Sequence, residues 1–268
     1  MLGNNVGTGG QTANIRILNG SPDLGNVDFY FQATGAPAPG ATANGASTTN
    51  VPYGQITPFF QEPITAGTVT VRSTGASASS PALDSLACPI PQLSTNAKYS
   101  IVISGVGTGN HTCRIFQDFD YSTGVQYRMH DAASSLGASI AYGSTNPGTP
   151  APYTSANVAT LGTSAITPAA TFTAVQPAGP IQNPGTDVNF VIGANTAGAT
   201  ITPIDTLDAR NLFASGSRTQ PNTAGTLNYP STAGTSLFAI DCTAGSVAAL
   251  TGVQCNSGAA LIGTFDTL

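Results

Sequence analysis

The sequence predicts an all-β fold, with two tandem Ig-like, Greek-key antiparallel β-sandwich domains derived from an internal duplication. Two observations predict the strands: short alternating runs rich in Val, Ile, Thr, Tyr and Phe recur between Gly, Pro and Asn turns, and no stretch keeps a helical period. A third observation predicts the duplication, because residues 13–30 align with residues 125–142 without a gap at an offset of 112.

Each predicted strand is an alternating or β-branched run that stops at a turn residue. In the first half of the chain the strands span residues 13–18, 27–32, 54–60, 68–73, 99–104 and 112–117. In the second half they span residues 125–130, 138–142, 156–161, 170–175, 186–192, 235–241 and 260–265. The segment Leu-Asp-Ala-Arg at 207–210 is expected to begin one short helical turn.

The aligned copies share identical residues at four positions: Arg16 with Arg128, Leu24 with Leu136, Gly25 with Gly137, and Tyr30 with Tyr142. The halves also end alike, in CRIFQDFD and ALIGTFD. These matches divide the chain into a Gly-rich N-terminal arm at 1–11, a first sandwich domain at 12–122, and a second, diverged domain at 123–268 with longer loops.

The composition is poor in charge, which limits the classes of partner. Charged residues make up 7% of the 268 residues, against about 25% in a typical soluble domain. Such a surface is typical of secreted or assembled proteins. Six scattered arginines and a net charge of −5 form no basic patch, so no nucleic-acid partner is expected. The sequence contains no run of 18 apolar residues, so no membrane-spanning helix is predicted. The segment MLGNNVGTGGQT lacks the basic start and apolar stretch of a signal peptide.

The four cysteines fall into two close pairs, Cys88 with Cys113 and Cys242 with Cys255. Their spacing fits neither a zinc ribbon nor a CxxC redox motif. Two local disulfides in an oxidising compartment are therefore predicted, with free core thiols as the alternative.

The first half carries motifs of a known family. The segments ANIRILNGSPDLGNVDFYF, VPYGQITPFFQEPITAGTVTVRSTG, YSIVISGVG and CRIFQDFD resemble the DUF4397 domain over about 110 residues. In the second half the Gly-Ser-Pro-Asp corner is replaced by Ala-Ala-Ser-Ser. The resemblance implies tandem extracellular or cell-surface β-sandwich domains, and it implies no reaction.

The corner after the first predicted strand is interpreted as architecture. Both copies keep the strand and its arginine, Arg16 or Arg128, but the second copy lacks Ser21-Pro22-Asp23. Pro22 is expected to preset φ, and the Ser21 and Asp23 side chains to bond nearby backbone amides.

No arrangement typical of catalysis is found, so the protein is expected to be non-enzymatic and to need no cofactor. Its two histidines are assigned to a turn (His111) and a strand (His130), and no GxSxG motif is present.

Asp118 and Asp120 alternate in DFDYSTG, superficially like a calcium loop. The EF-hand pattern needs Gly and Glu where Thr123 and Met129 stand, so solvated aspartates at a domain junction are the preferred interpretation. A structural Ca²⁺ is the alternative. Two sequons make Asn19 and Asn110 candidate glycosylation sites.

Two functions follow as hypotheses. The first is a self-assembling extracellular subunit of a fibre or matrix array, whose N-terminal arm adds a strand to a neighbouring copy. The second is an adhesion or polysaccharide-binding module that acts through the loops 35–50 and 143–157, near Tyr53 and Tyr153.

Overall fold

The computed structural model describes the strands and most of the connections of both halves. The described residues are 10–35, 48–77, 79–118, 126–136, 139–146, 148–154, 162–165, 172–175, 179–180, 188–196, 200–208, 212–214, 233–246, 255 and 258–267. The fold is nearly all β, as the sequence predicts. No helix within these ranges is long and apolar enough to cross a membrane.

The described residues include eighteen strands and two named 3-10 turns. The turns lie at Leu83–Ser85 and Ser134–Leu136. The strands are β1 Thr12–Asn19, β2 Val27–Ala33, β3 Phe60–Pro63, β4 Gly67–Ser73, β5 Ala87–Ile90, β6 Lys98–Ser104, β7 Thr112–Asp118, β8 Gln126–Asp131, β9 Ser139–Thr145, β10 Tyr153–Thr154, β11 Gly162–Ala165, β12 Phe172–Val175, β13 Gly179–Pro180, β14 Asn189–Thr196, β15 Thr200–Asp208, β16 Phe213–Ala214, β17 Ala233–Asp241 and β18 Ala259–Thr267.

The strands form four sheets, labelled A to D below, and these stack in the order B, A, C, D. Sheet A has the order β12-β7-β6-β1-β3 and sheet B the order β2-β4-β5. Sheet C has the order β13-β8-β17-β18-β16 and sheet D the order β10-β15-β14-β9-β11. One apolar core lies between sheets A and B, and a second lies between sheets C and D. A third lies between sheets A and C and joins the two halves.

Sheets A and C are mixed, whereas the sequence predicts antiparallel sandwiches. The described pairings of sheets B and D are all antiparallel. β1 pairs with β6 in parallel, and β8 pairs with β17 in parallel. The cause is topological. The chain passes from β1 to β2 in sheet B, back to β3 in sheet A and on to β4 and β5 in sheet B, and then returns beside β1 as β6 in the same direction. Such a parallel pair needs a long crossover, which local sequence patterns do not reveal.

The same three-strand unit recurs in both halves with the same register, as β7-β6-β1 in sheet A and as β18-β17-β8 in sheet C. Arg16 lies opposite Ser100 in the first half, and Arg128 lies opposite Ser236 in the second. This correspondence is what a duplication would produce, and the duplication and its domain limits stay predictions. One strand crosses between the halves, since β12 pairs with β7 at the edge of sheet A.

Several predicted strands need correction. Residues 54–59 do not form a regular strand, and the strand begins at Phe60, after the turn at Gly54 and the interruption at Pro58. Strands β5 and β15 were not predicted, since prolines interrupt both of their patterns. Leu207 and Asp208 end β15 and start no helical turn. The predicted strand at 156–161 lies outside the described residues.

Both predicted disulfides are confirmed. Cys88 on β5 is bonded to Cys113 on β7, so this bridge ties sheet B to sheet A across the first core. Cys242 is bonded to Cys255 beside the core between the halves.

Candidate functional site

Two clusters of ionisable and hydroxyl side chains stand out among the residues that the structure describes. The inter-half cluster lies between sheets A and C and comprises Arg16, Ser100, Asp118, Arg128, His130, Ser236 and Asp266. The loop cluster lies at one end of the first half and comprises Asp23, Asp84 and His111.

Each half builds an Arg–Ser–Asp chain from its recurring three-strand unit. In the first half Arg16 Nε donates to Ser100 Oγ at 2.8 Å, and this hydroxyl donates to Asp118 Oδ2 at 2.8 Å. In the second half Arg128 Nε donates to Ser236 Oγ at 2.9 Å, and that hydroxyl donates to Asp266.

Arg16 joins the two Arg–Ser–Asp hydrogen-bond chains across the boundary between sheets A and C. Its Nη1 donates to Asp266 Oδ1 at 2.6 Å, and its Nη2 donates to Ser236 Oγ at 2.7 Å and to Asp118 Oδ2 at 3.2 Å. Arg128 Nη2 also reaches Asp266, at 3.2 Å. Two guanidiniums therefore meet two carboxylates, which is the balance that buried charges require.

The two carboxylates have opposite pKa shifts despite their matching positions. Burial alone would raise the pKa of Asp266, but Arg16, Arg128 and the Ser236 hydroxyl outweigh it and lower the pKa to about 2. For Asp118, burial raises the pKa, and the charges of Arg16 and Arg128 do not fully offset this. Asp266 is thus the more firmly ionised member of the pair.

The His130 ring packs against aromatic side chains at one side of the inter-half cluster. Its ring stacks on Phe238 at a centroid distance of 4.5 Å and meets the edge of Phe116 at 5.0 Å. Burial, with Arg16 and Arg128 nearby, holds its pKa well below 6.5, so the ring is neutral. Its Nε2 lies 3.2 Å from Asp118 Oδ1, a contact between a neutral ring and a carboxyl group.

The inter-half cluster is closed to solvent. Arg16 and His130 are fully buried, and Asp118 is 4% exposed. Each guanidinium and carboxylate of the cluster is bonded to another member. The arrangement holds sheets A and C in register through bonds between their side chains.

The loop cluster is nearer the surface and joins three loops. His111 Nδ1 lies 2.6 Å from Asp84 Oδ2, and His111 Nε2 lies 2.9 Å from Asp23 Oδ1. The carboxylates also accept backbone amides of the same loop as His111, Gly107 to Asp23 and Gly109 to Asp84.

The cluster favours charged forms of all three groups. Burial lowers the pKa of His111, but the hydrogen bonds and charges of Asp23 and Asp84 outweigh it, so the pKa rises above 6.5. The hydrogen bond from His111 lowers the pKa of Asp84. For Asp23, burial acts in the opposite sense, and the bonds from His111 and Gly107 still lower the pKa.

A groove of about 500 Å³ lies beside the loop cluster, at the junction of the two halves. This junction groove is lined by Val106, Asn110, Ser134, Ser135, Asp241, Cys242, Thr243 and Gly258. Asp241 is fully buried and holds both halves, since it accepts from the Gly105 amide at 2.7 Å and from the Ser134 hydroxyl at 2.9 Å.

The hydrogen bonds of the corner at 19–23 differ from the predicted ones. The local bond runs from the Ser21 amide to the Asn19 side chain, at 3.3 Å. The Asp23 carboxylate instead reaches residues more than 80 positions away, Gly107 and His111. Pro22 is partly buried within the corner.

The two candidate glycosylation sites differ in access. The Asn19 side chain is buried and donates to the carbonyls of Gly25 and Val51, so it is closed to modification. Asn110 lies exposed on the loop between β6 and β7.

The candidate metal site is not assembled by the described residues. Asp118 is buried on Ser100 and Arg16 and does not face solvent as the sequence interpretation expects. Asp120 lies outside the described residues. Within the described ranges, no group of three His, Cys, Asp or Glu side chains could hold a metal ion.

The loops proposed for binding lie partly outside the described residues, at 36–47, 147 and 155–157. Their flanking tyrosines are buried, Tyr53 and Tyr153 each being 7% exposed. The Tyr53 hydroxyl donates to the Asp241 carbonyl at 2.8 Å and so links the halves. Neither ring offers an exposed platform for a sugar.

Sequence reasoning missed most of both clusters. The match of Arg16 with Arg128 and the similar ends of the two halves were the signals for the inter-half cluster, but Ser100 and Ser236 carry none. The loop cluster joins Asp23, Asp84 and His111 over separations of 27 and 88 residues. No spacing rule brings such distant residues together.

No curated protein matches the chain. Residues 13–123 match the family model described as Domain of unknown function (DUF4397), and the match does not cover the rest of the chain. These residues span β1 to β7 and hold Arg16, Asp118 and the whole loop cluster. The resemblance read from the sequence is thereby confirmed, and the first part of this chain matches the DUF4397 family.

Proposed function

We propose that this protein is a non-enzymatic, extracellular structural protein that assembles with copies of itself into a surface fibre or matrix array. The observation that carries the proposal is the inter-half cluster, because it uses two buried arginines and two buried aspartates to hold the two sandwiches together. Catalysis needs such groups to face a substrate. A stiff, fastened pair of sandwiches is what a structural subunit needs.

The scarcity of charge supports contact between copies. With 7% charged residues and a net charge of −5, neighbouring subunits meet little repulsion and little cost of desolvating charge. A charge-poor surface is also a liability for a protein that stays monomeric at high concentration.

The two disulfides support an extracellular or cell-surface location. Disulfides form and persist in oxidising compartments. Both bridges are built into the structure, one across the first core and one beside the core between the halves.

The sheet edges favour association through faces over strand addition by the arm. Seven of the eight edge strands formed by the described residues have two to four residues, and β2 has seven. Short edges are a device that limits pairing with other chains. Strand addition by residues 1–11 therefore has β2 as its one long edge among the described strands.

The test is electron microscopy of the concentrated protein, with sedimentation velocity over a range of concentrations. The proposal predicts regular fibres or arrays and a mass that grows with concentration. A variant that lacks residues 1–11 separates the two routes, because face-to-face association survives the deletion and strand addition does not. A strictly monomeric protein at all concentrations contradicts the proposal.

The junction groove favours one second candidate, binding of a polar ligand such as a polysaccharide segment. The groove offers the hydroxyls of Ser134, Ser135 and Thr243 and the amide of Asn110. A glycan screen on monomeric protein tests it, with Asn110→Ala as the groove variant and Thr74→Ala, outside the groove, as its control. Binding that is lost in the first and kept in the second supports this candidate.

A further inference from the structure

The loop between β6 and β7, residues 105–111, is anchored at three points to other parts of the chain. The amides of Gly107 and Gly109 donate to Asp23 and Asp84, at 2.7 and 2.8 Å. At the other end of the loop, the Gly105 amide donates to Asp241 of the second half. Carboxylates from both halves therefore fix the position of this loop.

His111 closes the loop and meets two of these carboxylates. Its side chain is 4% exposed, while the Asp84 side chain is 13% and the Asp23 side chain 36% exposed. Both ring nitrogens face an acceptor, and both can donate only when the ring carries two protons. A neutral ring turns one nitrogen lone pair toward a carboxylate oxygen.

We propose that His111 is a proton-operated clamp on the β6–β7 loop, closed while its ring carries two protons and loosened when it loses one. The loop contributes Val106 and Asn110 to the junction groove. Release of the clamp therefore changes the wall of that groove, whatever occupies it.

The charged groups around the loop are few. Asp23 and Asp84 act on His111 directly, through hydrogen bonds and charge. Asp241 bonds the far end of the loop, and Arg114, further along β7, lies in the field of Asp241 and Asp131. The ring thus meets two negative neighbours.

The pH window follows from the directions of the shifts. The raised pKa of His111 means that its contribution is complete below about 6.5 and is lost as the pH rises through the folded value. The lowered pKa values of Asp23 and Asp84 mean that their contribution is present above 3.8 and is lost as the pH falls through the folded values. The clamp is closed between these two limits.

The test is a pH titration of the full chain by NMR, following the histidine rings and the amides of Gly107 and Gly109. The clamp predicts one ring with a midpoint above 6.5, assigned to His111 by its loss in His111→Gln, and loop amides that shift on the same curve. Hydrogen exchange of these amides, corrected for its intrinsic rate, should quicken about tenfold above the midpoint, as the loss of one charge-assisted hydrogen bond implies.

Three variants make the test decisive. His111→Gln should abolish the shared titration of the loop amides between about pH 5 and 8. Asp84→Asn should shift this titration to lower pH, because one of the two carboxylates that favour the protonated ring is lost. Thr108→Ala changes an exposed residue of the same loop and should keep it. A His111 midpoint at or below 6.5, or loop amides that titrate unchanged in His111→Gln, would overturn the clamp.

Discussion

The inter-half cluster and the loop cluster use the same chemistry in different surroundings. Both pair cationic nitrogens with aspartates at 2.6 to 3.2 Å. The first is sealed between two sheets, where an uncompensated charge is costly. The second lies among loops near water, where pairs contribute little to stability. Burial therefore assigns the first to holding the halves together and leaves the second free to respond to pH.

The largest expected effect tests the buried half of this comparison. Arg16→Met removes the guanidinium that crosses between the halves and leaves Asp266 and Asp118 short of a partner. The free energy of unfolding should fall by about 3–5 kcal/mol. Urea unfolding followed by circular dichroism measures the loss.

Arg72→Met is the matched control. Arg72 is a partly buried arginine of the first half that donates to the Ser80 carbonyl and lies over the Tyr30 ring. Its loss should cost about 1 kcal/mol. Equal losses in the two variants would contradict the special role of the Arg16 guanidinium in joining the halves.

The second prediction separates the two matched aspartates. Asp266→Asn should lower the free energy of unfolding by about 2 kcal/mol at pH 7. The pKa of Asp266 falls from 3.8 to about 2 on folding, so its carboxylate stabilises the folded state above pH 3.8, and this contribution is lost as the pH falls. Asp118→Asn should cost less, because burial raises the pKa of Asp118 and folding therefore disfavours its ionised form relative to the unfolded chain. Urea unfolding at pH 7 and at pH 3 tests both.

The reverse order at pH 7 would contradict this assignment of charge. The difference in unfolding free energy between Asp266→Asn and the parent protein should also be smaller at pH 3, because the parent itself then loses part of the contribution of this carboxylate.

The third prediction concerns a neutral link between the halves. Tyr53→Phe removes the bond to the Asp241 carbonyl and should cost about 0.5–1.5 kcal/mol. Tyr30→Phe is its control, because the Tyr30 hydroxyl bonds the Ala76 carbonyl within the first half. Hydrogen exchange should quicken in the second half for Tyr53→Phe and not for Tyr30→Phe.

The smallest effect tests the exposed half of the comparison. Asp23→Ala should lower the unfolding free energy by less than about 1 kcal/mol, because this carboxylate is well exposed to water. The change should be local. Hydrogen exchange should become faster at the Gly107 amide and stay the same at the Asp266 amide. A loss as large as that of Arg16→Met would show that the loop cluster is also part of the core.

The sequence predicts local features well and non-local ones poorly. Strands β1, β2, β4, β6 and β7 coincide with predicted runs because their alternation reports a buried face directly. Strand β5 escapes because its prolines break the pattern, and the parallel pairing of β1 with β6 escapes because it depends on the path of the whole chain.

The candidate sites show the same division. Arg16 and Arg128 stand out in the alignment of the two copies. Their burial between sheets A and C depends on how the sheets pack, which the alignment does not show. Asp23 illustrates the reverse case, because its turn context predicts local bonds and the fold supplies a distant histidine instead. In both, the partner comes from another strand or loop, which no local pattern encodes.

The central claim is that the inter-half cluster makes the two sandwiches one structural body, and calorimetric unfolding of the full chain tests it most directly. The account predicts a single transition whose calorimetric and van't Hoff enthalpies agree, and which splits or broadens in Arg16→Met. Two separate transitions in the parent protein, unchanged in Arg16→Met, would contradict it.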